Sequence, residues 1–245
     1  VTLTTPIAAG IDWHLDLKSG HRWPVMFFRD LDLNDLGRAS DVKVPWELSR
    51  LQWLIPLGQD YLLRGDPAHA RFAREVLESW IVANPYARSV NWGVAMEAAM
   101  RIFTWTWLFH VFSDSEAWQA RDFRGSFLRS IYDHAIFCAR YIEDFGASTN
   151  HLIADAAGIA FAGMFLGGAP AAREIATFGM SALHHALPRQ LSADGVNHEG
   201  SAAYHRLVAE LVFWTARHWT TLGYGQIDDV AAHLARMAEF TAAVS

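Results

Sequence analysis

Three short stretches of the chain gather side chains able to do acid–base or anion-binding chemistry. The segment DGVNHEGSAAYH, Asp194 to His205, holds two histidines, Glu199, Ser201 and Tyr204 within twelve residues, and is too polar for an ordinary joint between helices. The segment STNHLIADAAG, Ser148 to Gly158, offers Asn150, His151 and Asp155. A histidine just past a helix cap lies over the helix N-terminus, where free backbone N–H groups stabilise an anion. A third segment, NWGVAMEAAMR, carries Asn91, Trp92, Glu97 and Arg101. Glu97 and Arg101 are four residues apart, so they share a helix face and can pair, either beside a substrate or as an ion pair that lets a buried helix carry charge.

Each stretch also has a plain structural reading. Ser148, Thr149 or Asn150 can cap the helix that follows. Asp194-Gly195 is a turn signal, and Ser201 or Glu199 can serve a helix start. Other chemistries are absent from the spacing. His198-Glu199 is followed by His205 and not by a histidine four residues after His198, so the zinc-protease pattern fails. One cysteine, Cys138, rules out an internal disulfide and any Cys-rich metal site. With no phosphate-binding glycine loop and no Gly-x-Ser-x-Gly elbow, no metal or cofactor is implied.

The elements that must position these residues read as helix after helix. PWELSRLQWLIPLGQDYLLRG places Trp46, Leu48, Leu51, Leu54, Ile55 and Leu62 at helical spacing, with Pro56 predicting a kink or break. Asp66 is a plausible N-cap with Pro67 behind it, for a helix that stops before Pro85. NWGVAMEAAMRIFTWTWLFHVF is apolar on nearly every side, which predicts burial. The stretch from Ser115 is amphipathic and is expected to run to Gly146; four more helical patterns follow, the last reaching Ser245 with no cap or polar tail, as if inside an element. Alternating strands, hairpin turns and a βαβ rhythm are missing. The class is therefore all-α, built from antiparallel helix hairpins, with an irregular segment over residues 1–40 and the helical domain over residues 41–245.

Composition narrows the function. A net charge of −6 lacks the basic excess of a nucleic-acid binder, and no apolar run is long enough for a membrane span. No signal peptide is visible at the N-terminus. Eleven tryptophans suit core filling and equally suit stacking on sugar rings.

Taken together, VPWELSRLQWL, NWGVAMEAAMR, TNHLIADAAGIAFAG and DGVNHEGSAAYHRLVAEL resemble the heparinase II/III family of polysaccharide lyases. The resemblance runs from about residue 40 to the end, and the last two motifs are the specific ones. It implies an incomplete (α/α) toroid with a polysaccharide groove, followed in the family by a C-terminal β-sandwich domain, and hence a longer parent chain. A bacterial, periplasmic or secreted enzyme is the expectation that goes with it.

The implied reaction is β-elimination beside a uronic acid. Such an enzyme must neutralise the uronate carboxylate, remove the C5 proton and protonate the departing O4. By resemblance, Asn150 neutralises the carboxylate, helped by His151, and Tyr204 protonates the leaving oxygen and can also take the C5 proton. A neutral phenol, with a reference pKa of about 10, is a natural acid at pH 7. Acting as base, Tyr204 needs a cationic neighbour such as His205 or an arginine. Asn91, Trp92, Glu97, Arg101, Glu199, His205 and Arg206 are the expected substrate-positioning groups, with Arg88, Arg101 and Arg206 lending positive field to an acidic polysaccharide. Two alternatives stand beside this: a sugar-binding toroid left inert by the missing domain, and an (α/α) barrel glycoside hydrolase using Glu199 with Asp194 or Asp155 as its carboxyl pair.

Overall fold

A computed structural model describes residues 10–146 and 149–244. Its regular structure is helical, and the only extended pairings among the described residues are isolated bridges at Leu15–Arg22, Phe27–Arg88 and Leu191–Asn197. The helices are α1 (Lys43–Ser49), α2 (Ile55–Arg64), α3 (Pro67–Ala83), α4 (Ala95–Phe112), α5 (Glu116–Gln119), α6 (Arg121–Arg140), α7 (Asn150–Leu166), α8 (Pro170–Gln190), α9 (Ala202–Thr221) and α10 (Asp228–Ala243). They fall into two compact units. One takes the chain up to residue 97 together with residues 103–133, and the other takes residues 98–102 and the chain from residue 134 onward.

In the first unit, the break expected at Pro56 occurs five residues earlier. Leu51 adopts a left-handed conformation with φ 61°, between α1 and a short 3-10 turn, Gln52–Leu54. Proline in the first turn of α2 costs nothing, because its missing N–H would be unbonded there anyway. The strain is taken at Leu51, whose complete burial offsets it. Asp66 caps α3 as its sequence predicts, its side chain accepting the Ala68 N–H at 2.9 Å. Most of the tryptophans go into the core: Trp80 meets Trp105 edge-on at 5.0 Å, and Trp118 meets Phe123 likewise. The N-terminal segment is irregular yet anchored, with Trp13 and Trp23 buried and the Trp13 indole N–H donating to Ser79 Oγ at 2.9 Å.

The expected helix from Ser115 to Gly146 is instead two helices, α5 and α6, and it ends at Arg140. The cause is tertiary. The Glu143 N–H donates to the carboxylate of Asp155 on α7 at 2.9 Å, an acceptor that draws the chain out of the helical path.

The second unit is built on α7, which is buried over almost its whole length, from Leu152 to Met164. Two glycines let it lie directly on α8. A Cβ placed on Gly163 of α7 would sit 2.3 Å from the Ala176 backbone nitrogen, and one on Gly179 of α8 would sit 2.3 Å from that of Ala160. The two contacts run in opposite chain directions, so the pair is an antiparallel hairpin. A third glycine, Gly158, abuts Ala99 in the same unit. Around this hairpin, Val208, Val212 and Trp219 of α9 and Val230 and Met237 of α10 complete one apolar cluster with Leu152, Ile153, Leu183 and Leu187. Burying these side chains contributes about 1.5–3 kcal/mol each before entropy is counted. Among the described residues no helix is long and apolar enough to cross a membrane.

Candidate active site

The N-terminus of α7 is capped from a distance. Thr149 occupies the cap position without a side-chain hydrogen bond, and Ser148 lies outside the described residues. Asn150 is the first helical residue. Its backbone N–H donates to Glu199 Oε2 at 3.0 Å and its side-chain amide donates to Glu199 Oε1 at 2.9 Å. Because a carboxylate only accepts, this fork fixes which end of the Asn150 amide is nitrogen. One amide hydrogen points at Glu199, in a residue that is itself largely buried. Glu199 is itself held by the Gln190 side-chain amide at 3.0 Å, and its backbone N–H donates to Asn197 Oδ1 at 2.8 Å.

The same segment launches α9. Ser201, one of the two residues expected to serve this start, is the N-cap, its hydroxyl accepting the Tyr204 N–H at 3.3 Å. Gly195 makes the preceding turn at φ 86°, pressed against the Arg236 backbone. Tyr204 thus stands in the first turn of α9 with its side chain exposed, 47% of its surface free. Glu199 joins the starts of the two motif helices, α7 and the approach to α9, through one carboxylate.

His151, the next residue on α7, is half-exposed, and its Nδ1 lies 3.1 Å from Glu143 Oε1. Behind it, Asp155 is fully buried. Burial, and then the negative charge of Glu143, push its carboxyl well above the usual carboxylate range. Burial likewise pushes the Cys138 thiol up, which leaves it unsuited to nucleophilic work.

The other expected positioning groups sit differently. Asn91 is completely buried, in a 3-10 turn before α4, donating to the Trp13 carbonyl and to Asn84 Oδ1, each at 2.9 Å. Trp92 is 2% exposed, with its indole N–H on the Asn84 carbonyl, so it has no free face for a sugar ring. Glu97, expected to pair with Arg101, forks onto Arg50 at 2.8 and 2.6 Å. Arg101 is completely buried and donates to His134 Nε2 at 2.9 Å; it presents no surface charge to a polymer. All four side chains are buried.

His205 also turns inward. Its Nδ1 faces the Asn197 N–H, which makes Nδ1 the acceptor and places the ring proton on Nε2, opposite the Met237 carbonyl at 3.1 Å. Held on Nε2 by the Met237 carbonyl and the Thr241 hydroxyl, the ring braces α9 against α10 and is directed away from solvent, where Tyr204 lies. Arg206 and Arg88 are exposed. The carboxyls of the hydrolase alternative are dispersed into separate roles. Glu199 is bonded to Asn150, Asp155 is buried, and Asp194 is an exposed turn residue whose bond from Ser192 lowers its carboxyl.

Glu143, Gln190 and Asn197 went unnoticed in the sequence because nothing local marks them: Glu199 meets Asn150 across 49 positions, and that fold-dependent contact gives Gln190 and Asn197 their meaning.

The family model for the heparinase II/III N-terminus matches residues 7–236. The chain belongs to this heparinase II/III family. Solved structures agree on the fold. Heparan sulfate lyase HepC from Pedobacter heparinus superposes at a TM-score of 0.68 with 22% identity, over 89% of this chain and 34% of that one. A heparinase III, the BT4657 gene product with methylated lysines, gives 0.69 with 20% identity, over 95% and 38%. Among curated proteins there is no significant match. At such identity the likeness shows the fold, and the all-α, (α/α) toroid class expected of a heparinase II/III N-terminus holds. The chain spans about a third of the length of the solved structures it matches.

Proposed function

We propose that this heparinase II/III helical domain serves a polysaccharide lyase that cleaves an acidic, uronate-containing polymer by β-elimination. The observation that carries the reading is the Glu199 fork, which orients the Asn150 amide and binds the start of α7 to the approach to α9. In the proposed reaction, the second Asn150 amide hydrogen and His151 neutralise the uronate carboxylate, so that charge developing at C5 spreads onto it at lower cost. Tyr204 gives its phenolic proton to O4 as the C4–O4 bond breaks and the C4–C5 double bond forms. The C5 proton leaves to a base from another domain of a longer parent chain, the β-sandwich expected from the resemblance; if Tyr204 starts as the phenolate instead, it takes the C5 proton itself and returns that same proton to O4. Arg206, exposed two residues after Tyr204, supplies positive charge for the polyanion.

The test is ultraviolet absorbance of the unsaturated uronate product, with alginate, heparan sulfate and bacterial exopolysaccharides as substrates. Tyr204→Phe is expected to abolish turnover while oligosaccharide binding and stability persist, the latter within about 0.5 kcal/mol because the hydroxyl is exposed. Products lacking that chromophore, with a water added across the bond, would overturn the reading.

A further inference from the structure

Residues 141–146, just after α6, have no regular structure, yet they are fastened on both sides of one residue. The Glu143 N–H is bound by Asp155 of α7 at 2.9 Å, and Asp144 is bound by Arg189 in the last turn of α8 at 3.0 Å. Between these anchors the Glu143 side chain is nearly buried, and its Oε1 lies 3.1 Å from His151 Nδ1. From this geometry we infer that Glu143 is the positioning residue of His151, holding its ring proton on Nδ1 and fixing the ring's rotation.

The chemistry follows from what each group can do. A carboxylate only accepts, so the ring nitrogen facing it must carry hydrogen in both charge states of the imidazole. The lone pair of the neutral ring is then on Nε2, and the protonated ring donates from Nε2. Only the protonated ring, with hydrogen on both nitrogens, can then donate to a substrate carboxylate. Asp155 anchors this arrangement by accepting the Glu143 N–H, and burial together with the charge of Glu143 pushes its carboxyl above the usual range. Histidine ligands of metals are oriented by carboxylate partners in the same way, and losing such a partner typically costs 10–100-fold.

This inference deepens the lyase reading and rests on it for its consequence in catalysis, but the ring geometry can be tested separately. Nitrogen-15 spectra of the His151 ring, recorded in the wild-type chain and in Glu143→Leu, report which nitrogen is protonated. The neutral wild-type ring is expected to be the Nδ1–H form, and Glu143→Leu is expected to release it to a mixture of tautomers. Where the chain also turns over a uronate polymer, Glu143→Leu should lower kcat/KM by about 10–100-fold, with Glu143→Gln recovering part of it through its amide oxygen. A wild-type ring protonated on Nε2 overturns the inference whether or not the leucine variant folds, as does an Nδ1–H signal that survives Glu143→Leu. A correct ring signature with no elimination product on any uronate polymer would leave Glu143 in place and remove the lyase reading instead.

Discussion

Replacing Gly163 with alanine will wedge α7 away from α8. The added methyl would sit 2.3 Å from Ala176 N and 2.7 Å from Ala172 O and Ala176 Cα, all backbone atoms, whereas ordinary contact begins at 3.4 Å. The helices must therefore separate by roughly 1 Å, since no side chain can swing clear. Overpacking of this kind costs about 1–3 kcal/mol, and more when backbone must move. Alanine returns up to about 1 kcal/mol through its better helix propensity. A net loss of about 1–3 kcal/mol is expected, or a fall of about 2–12 °C in melting temperature for a chain of this size. The control is Gly125→Ala on the exposed face of α6, where a new Cβ meets nothing within 4 Å. There the same substitution should stabilise by about 0.5–1 kcal/mol. Urea unfolding of both variants gives two shifts of opposite sign. If Gly163→Ala is as stable as wild type, the hairpin does not owe its closeness to that glycine and the packing argument fails.

Two further outcomes follow from the site. Asp155 has a folded-state pKa raised above its unfolded value of about 3.9, so its contribution favours the native state below that value and is lost as pH rises toward the folded pKa. Asp155→Asn keeps an acceptor for the Glu143 N–H and removes this linkage, so its stability relative to wild type should grow with pH above about 4, by up to about 1.4 kcal/mol per pH unit; denaturant midpoints at pH 4 and pH 7 measure it, and a constant difference would show that the carboxyl is ionised in the fold. Glu199→Ala removes the cap of α7, leaves the Asn150 amide without its acceptor and leaves the Gln190 amide with Asn197 alone, at a cost of about 2–4 kcal/mol. Thermal melting checks that loss, and a shift below 1 kcal/mol would mean that water or Thr149 replaces Glu199 without penalty.

Much of this molecule was legible in the order of its residues. Helical periodicity, the Asp66-Pro67 start, the stop before Pro85 and the glycine-rich character of α7 are local properties, set by backbone sterics and by which positions repeat every three to four residues. Four motifs taken together, the last two of them specific, pointed to the heparinase II/III family. Partners were not legible, because a hydrogen bond depends on where another helix arrives. Spacing paired Glu97 with Arg101, while folding brought Arg50 to Glu97 from α1. Tryptophan and asparagine at 92 and 91 have the chemistry of sugar binding, and only burial shows them committed to the interior. Glu199 looked like a local helix start and is the cap of another helix; His205 sits beside Tyr204 in sequence but, at 100° per residue around α9, faces the core while Tyr204 faces solvent. The sequence alone determined which groups are present and on which elements. Tertiary structure decided which of them meet, and so which remain exposed for chemistry, because contacts across 49 positions depend on packing that no local pattern encodes.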